Sequence, residues 1–282
     1  MNPIQHVLSV RQFDKTRIDR LFALTREMRG IVNRKHARCS ILEGMIMGTV
    51  FYEASTRTRF SFEAAMLRLG GNVITTENAK EFSSASKGES LPDSIRTMGC
   101  YLDLIVLRHF TDGAAAIAAQ ASTVPIINGG DGPGEHPTQA LLDLFTIQEE
   151  RGDPGQQRVV FIGDLRHGRT VHSLARLLAM YDTRMSFVSP DSLRLPDGLL
   201  QGLQSTGCDV REHRCLEEAI DEADVIYMTR VQKERLPPNM DVAGDGSDYT
   251  LTQELVRRMQ PDTVVMHPLP RNSEIPTWFD ED

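Results

Sequence analysis

The sequence predicts an α/β protein of two domains, each a parallel sheet flanked by helices. Three observations carry that expectation. The chain has 282 residues, more than one ordinary core accommodates and fewer than three need, so two domains are the natural division. Apolar runs of strand length alternate with stretches of helix length, and the runs lack the strict alternation of a half-solvated sheet. The strongest loop signal, GGDGPGEHP at residues 129–137, falls near the middle of the chain.

The elements follow in order. Residues 14–30 place Ile18, Leu21, Phe22 and Leu24 at helical spacing, with Asp14 as cap and Gly30 as stop. MIMGTVFY then forms a strand. Thr58 to Leu69 forms a helix whose buried face is Phe62, Ala65, Met66 and Leu69, ended by Gly70 and Gly71. Strand NVITT, a polar loop, a helix near Ser90 to Gly99, strand LDLIVLRH, a helix near 113–120 and strand VPIINGG complete the first half. A long helix from Thr138 to Glu150 bridges onward, and the boundary set there gives domains 1–136 and 137–282. The second half reads strand RVVFIGD, helix RTVHSLARLLAMY, strand RMSFVSP, a helix near 196–206, strand CDVREH, helix LEEAIDEA and strand DVIYMTR. A loop over 236–248, helix LTQELVRRM and strand TVVMHPLPR close it. Ligands of such sheets bind beyond the carboxyl ends of the strands, so the active site is expected in the interdomain cleft.

Composition narrows the class. The chain is 40% hydrophobic and 25% charged with a net charge of −8, which disfavours a nucleic-acid or membrane partner, since both need a basic footprint. No apolar run approaches the roughly 20 residues that span a bilayer, and the N-terminus lacks the apolar core of a signal peptide, so a cytoplasmic location is expected. Cys39, Cys100, Cys208 and Cys215 are scattered, with no metal-ligand spacing; reduced thiols and no metal are expected.

The polar motifs gather at strand ends. FYEASTRTRFSFE puts Ser55, Thr56, Arg57, Thr58 and Arg59 where a strand turns into a helix. Two guanidinium groups there repel unless a doubly negative group lies between them. Free N–H groups, the positive end of the helix dipole, three hydroxyls and a guanidinium fork describe an anion site; an ordinary Ser/Thr N-cap with exposed arginines is the alternative. Lys87, four residues past Ser83, is either a basic arm that closes over an anion or a solvated loop lysine. Arg108, closing an apolar strand before His109, needs a carboxylate or a ligand. His136 is either a helix cap or a donor to a carbonyl oxygen, with Gln139 a turn later. GDLRHGRTVHS lacks the glycine spacing of a dinucleotide turn and puts Arg169 at a helix start, and MTRVQKER places Arg230 and Gln232 after a strand. Arginines at strand ends in both halves, with Lys87, suggest substrates carrying several negative charges.

These segments, with SKGES, GEHPTQALLDLFTI and MHPLPR, resemble in order the motifs of the aspartate carbamoyltransferase family, from near residue 45 to 275. The sister ornithine enzymes share the STRT turn and the HPxQ motif but carry a cysteine before the LP, where this chain has His267-Pro268-Leu269-Pro270. The resemblance implies transfer of the carbamoyl group of carbamoyl phosphate to the α-amine of L-aspartate in pyrimidine biosynthesis, without a cofactor. It implies that residues 1–136 bind carbamoyl phosphate and 137–282 bind aspartate. Ser55, Thr56, Arg57 and Thr58 would hold the phosphate, with Arg57 stabilising the leaving group. Thr58, Arg108 and His136 would polarise the carbamoyl oxygen, and Gln139 would meet the carbamoyl nitrogen. Arg169, Arg230 and Gln232 would bind the aspartate carboxylates, and Leu269 and Pro270 would offer carbonyls to the amine. Ser83 and Lys87 would enter from a neighbouring subunit of a homotrimer, and regulatory or other pathway subunits are further partners the family admits. The family's C-terminal return helix is absent from this sequence, which stops at Asp282.

Overall fold

The chain divides into two compact units, Met1–Thr138 and Gln139–Asp282. The structure, a computed structural model, describes residues 5–33, 39–82, 84–230 and 249–281. In the first unit α1 (Lys15–Val32) is followed by β1 (Ile46–Phe51), α2 (Thr56–Arg68), β2 (Asn72–Glu77), the short α3 (Ala79–Phe82) and α4 (Leu91–Met98). Then come β3 (Leu104–His109), α5 (Ala114–Ala121), β4 (Ile126–Asp131) and the start of α6 (Pro137–Arg151). The four strands are parallel, in the order β2-β1-β3-β4. Alternation along the central strands sends Val50, Ile105 and Leu107 to one face, against Ile95 of α4 and Ala118 of α5. Met47, Phe51 and Val106 go to the other, against Met66 of α2. Each fully buried Phe or Ile contributes about 1.5–3 kcal/mol.

The second unit holds β5 (Arg158–Ile162), α7 (Arg169–Ala179), β6 (Arg184–Val188), α8 (Asp197–Ser205), β7 (Val210–His213), β8 (Val225–Met228), α9 (Gln253–Arg258) and β9 (Val264–Met266). Its sheet is also parallel, ordered β7-β6-β5-β8-β9. One face buries Val160, Ile162, Val188, Ile226 and Met228 under Leu216, Ile220, Leu251, Leu255 and Ile275. Phe161 stacks on Phe187 at 5.1 Å and meets Tyr227 at 5.6 Å. Among the described residues no helix is long and apolar enough to cross a membrane.

Several expectations need correction. α1 passes through Gly30 and ends at Val32; a helix-interior glycine costs about 1 kcal/mol but does not forbid continuation. Leu24 is exposed rather than part of the buried stripe. α2 begins at Thr56, with Ser55 as N-cap, and of its expected face Met66 alone is buried, with Ala65 exposed. LEEAIDEA forms only a 3-10 turn, Leu216–Glu218. The Ala223 N–H bonds back to the Ile220 carbonyl, and Asp224 already pairs with Arg158 to open the approach to β8, so no helical ladder continues. β2 lies at the sheet edge with Ile74 exposed, so it is not covered on both faces. A strand contact the sequence did not suggest joins Val7 to Ile127, beside β4. The loop expected at 236–248 lies outside the described residues.

Each sheet has one place where the strand order reverses, between β1 and β3 in the first unit and between β5 and β8 in the second. Crevices at the carboxyl ends of such neighbours are where α/β sheets bind ligands.

Candidate active site

In the first unit the Ser55–Thr58 turn follows β1 and Arg108 lies in β3, the two strands of the reversal. Ser55 is extended and makes no side-chain cap. Its hydroxyl instead donates to the Thr58 Oγ1 at 3.0 Å. That removes the ordinary N-cap reading and leaves the N–H groups at the start of a 13-residue helix aimed outward. Arg57 is exposed, and among the described residues no carboxylate pairs with it. Arg59 behaves differently: it pairs with Glu77 at 3.1 Å and lies over the Phe60 ring. The supposed clash of two guanidinium groups is therefore relieved by the protein's own acid, and one arginine, not two, is left for an anion.

Arg108, next to last in β3, has only 9% of its surface exposed. Its Nη2 donates to Glu53 Oε1 at 2.7 Å and its Nη1 to the Gly129 carbonyl at 3.0 Å. Glu53 lies two residues before Ser55, so Arg108 is held beside the α2 turn. His109 packs between Tyr52 and Phe110, with ring centroids 4.8 and 4.3 Å away. Its Nδ1 accepts from the Thr111 N–H at 3.0 Å, and burial lowers its pKa.

The glycine-rich loop is shaped by two buried polar side chains. Asn128 donates to Asp131 Oδ1 at 3.0 Å and accepts from the Gly130 N–H at 2.8 Å, while Asp131 accepts from the Glu135 and Gly113 N–H groups. Glu135 in turn accepts from the Ser9 hydroxyl at 2.7 Å and the Val10 N–H at 2.9 Å, which clamps the N-terminal segment onto the loop. His136 follows, 5% exposed, with its Nδ1 3.4 Å from the Thr138 hydroxyl, immediately before Pro137 opens α6. Gln139 is half-buried and donates to Asp143 at 2.9 Å. Lys87 ends the 3-10 turn Ser84–Lys87, exposed, and the described contacts do not join it to Arg108 or His136. Ser83 lies outside the described residues.

In the second unit Arg169 opens α7 and is buried, and Arg230 is half-buried two residues beyond β8. Gln232 lies outside the described residues. Gly163, at φ +112°, lets the chain turn where a Cβ would collide with the Thr229 carbonyl. Asp164 is fully buried and accepts from the His167 N–H at 2.9 Å, shaping the turn before Arg169. After β9, Leu269 adopts φ +55° and the Leu269–Pro270 bond is cis. The Leu269 N–H donates to His267 Nδ1 at 2.8 Å, so the imidazole carries its proton on Nε2 and donates it to Glu274 at 2.9 Å. Glu53, Asp143, Asp164 and Glu274 were not singled out from the sequence. Asp143 had a local signal, lying one helical turn from Gln139.

The two halves match two models of one family: the aspartate/ornithine carbamoyltransferase carbamoyl-P binding domain over residues 5–149 and the Asp/Orn binding domain over 155–282. The chain belongs to the aspartate/ornithine carbamoyltransferase family. Within it the chain is 48% identical over 281 residues to aspartate carbamoyltransferase 3, chloroplastic, of Pisum sativum, covering 99% of this chain and 72% of that one. It is similar to the catalytic subunit of M. jannaschii aspartate transcarbamoylase, with TM-score 0.90, 44% identity and coverage of 99% and 90% of the two chains. A Trypanosoma cruzi aspartate transcarbamoylase in complex with carbamoyl phosphate and aspartate gives TM-score 0.91 at 39% identity, covering 99% of this chain and 89% of that one. The proteins named here are aspartate carbamoyltransferases.

Proposed function

We propose that this protein transfers the carbamoyl group of carbamoyl phosphate to the α-amine of L-aspartate, giving N-carbamoyl-L-aspartate and phosphate for pyrimidine biosynthesis. The observation that carries the reading is Arg108, buried and fixed between Glu53 and Gly129 beside an uncapped helix N-terminus. Ser55, Thr56, Arg57 and Thr58 hold the phosphate. Arg57 is the group that stabilises the charge left on it as the carbamoyl C–O bond breaks. Thr58, Arg108 and His136 donate to the carbamoyl oxygen, and Gln139 meets the carbamoyl nitrogen. Arg169, Arg230 and Gln232 take the two carboxylates of aspartate, and the carbonyls of Leu269 and Pro270 accept from its amine.

An amine held against an already activated carbonyl needs no covalent enzyme intermediate, so positioning and charge stabilisation supply most of the rate. The same reading extends to domain-sized roles for residues 1–136 and 137–282 and to a cytoplasmic homotrimer in which Ser83 and Lys87 complete a neighbour's site. The exposure of Lys87 and its lack of an ion pair among the described residues support that last point.

The test is Arg57→Ala. Carbamoyl-aspartate formation is expected to fall by at least ~100-fold with the fold intact by circular dichroism. Turnover near the wild-type rate refutes the phosphate assignment, and a preference for ornithine over aspartate contradicts the roles of Arg169 and Arg230.

A further inference from the structure

Gln139 and Asp143 stand one turn apart on α6, and the Gln139 Nε2 donates to Asp143 Oδ1 at 2.9 Å. The other carboxylate oxygen accepts from the Tyr227 hydroxyl of β8 at 2.7 Å. Asp143 is 3% exposed and Tyr227 fully buried, so water does not compete for either. Burial pushes the Asp143 carboxyl up to about 7, against hydrogen bonds from Tyr227 and Gln139 that favour its charged form. Tyr227 is itself raised well above its ordinary range by burial and stays protonated, and Thr170 of α7 joins the network through the Tyr227 hydroxyl.

An amide side chain presents two ends of nearly equal shape, a donor NH2 and an acceptor oxygen. Its orientation toward a ligand is set by what grips the other end. Both Asp143 oxygens accept in the structure, one from the Tyr227 hydroxyl and the other from the Gln139 Nε2, so Asp143 takes the Gln139 NH2 and leaves Oε1 for another donor. Among the described residues none reaches that oxygen. A carbamoyl group carries an NH2, which requires an acceptor. The inverse orientation sets donor against donor and leaves both unpaired.

We propose that Asp143 is a positioning residue for carbamoyl transfer, taking the Gln139 NH2 so that Gln139 Oε1 faces the carbamoyl NH2. Through Tyr227, three residues before Arg230, it ties that orientation to the strand leading into the aspartate-carboxylate group. The inference rests on the role given to Gln139 above.

A double-mutant cycle in the full chain tests it, using Asp143→Asn, Gln139→Ala and the pair. For each variant kcat/KM for carbamoyl phosphate, the inhibition constant of inorganic phosphate and the thermal midpoint are measured. In Asp143→Asn the new NH2 can donate to Gln139 and let its amide turn over. Expected is a fall of about 10–100-fold in kcat/KM in the wild-type background and no further fall in the Gln139→Ala background. Inhibition by phosphate, which engages the α2 turn, is expected to stay within about two-fold of wild type. Should Asp143→Asn fail to fold, Asp143→Leu combined with Tyr227→Phe removes the buried acid and its hydroxyl donor together, and the same non-additivity is expected. Equal losses in both backgrounds, or none in either, overturn the positioning role. Wild-type kcat/KM in Gln139→Ala alone overturns the underlying reading of Gln139 instead.

Discussion

The Arg108 guanidinium lies 2.7 Å from the Glu53 carboxylate, across the adjacent carboxyl ends of β3 and β1. The pair explains how a cation is kept near the interior: Glu53 fixes one nitrogen and the Gly129 carbonyl another. It also creates a liability. Removing Arg108 leaves a partly buried carboxylate next to the anion turn. We expect Arg108→Ala to lower kcat/KM for carbamoyl phosphate by at least ~100-fold, and Glu53→Ala in that background to recover several-fold of it. Steady-state kinetics of the two singles and the double checks this; a double variant no better than Arg108→Ala sinks it.

Gly163→Ala strikes a different kind of constraint. At φ +112° an added Cβ meets backbone, the Thr229 carbonyl, not a side chain that can move aside. Loss of about 2–4 kcal/mol is expected, seen as a lower thermal midpoint. Wild-type stability would show that the β5/β8 reversal tolerates a side chain.

The pH dependence of stability carries a signature of Asp143. Its carboxyl moves from 3.8 in the unfolded chain to about 7 in the folded one. Between those values the folded state holds a proton that the unfolded state has released, so stability from this residue is full below about pH 4 and declines as pH rises to 7. Asp143→Asn does not titrate there. The wild-type minus variant difference in unfolding free energy, measured in urea, is therefore expected to shrink from pH 5 to pH 7.5; a growing difference contradicts the burial argument.

Glu274 supports the turn after β9 at one remove. Burial pushes its carboxyl up, but hydrogen bonds from His267 and the Asn272 N–H outweigh that and leave it below the usual range. Glu274→Ala frees His267, which holds the Leu269 N–H. We expect KM for aspartate to rise by roughly ten-fold while KM for carbamoyl phosphate stays put. Equal effects on both substrates would place the damage elsewhere.

Local pattern made much of this readable beforehand. Strands were visible because buried parallel strands are continuous apolar runs, whereas their order in each sheet was not, and the candidate site residues are those that stand where the runs stop. Long-range pairing was not visible. Glu53 is 55 residues from Arg108 and Asp143 is 84 from Tyr227, and no periodicity links such positions. The acid that neutralises Arg59, Glu77, lies on the neighbouring strand, which is why repulsion in the turn was overestimated. LEEAIDEA misled for the same reason: its spacing fits a helix, but the demand of β8 for Asp224 arrives first.

The clamp of Ser9 and Val10 on Glu135 makes the segment ahead of α1 a working part of the histidine loop. A variant lacking residues 9 and 10 would strip two donors from a carboxylate adjoining His136. A sluggish preparation made that way would reflect its engineering, not the native catalyst.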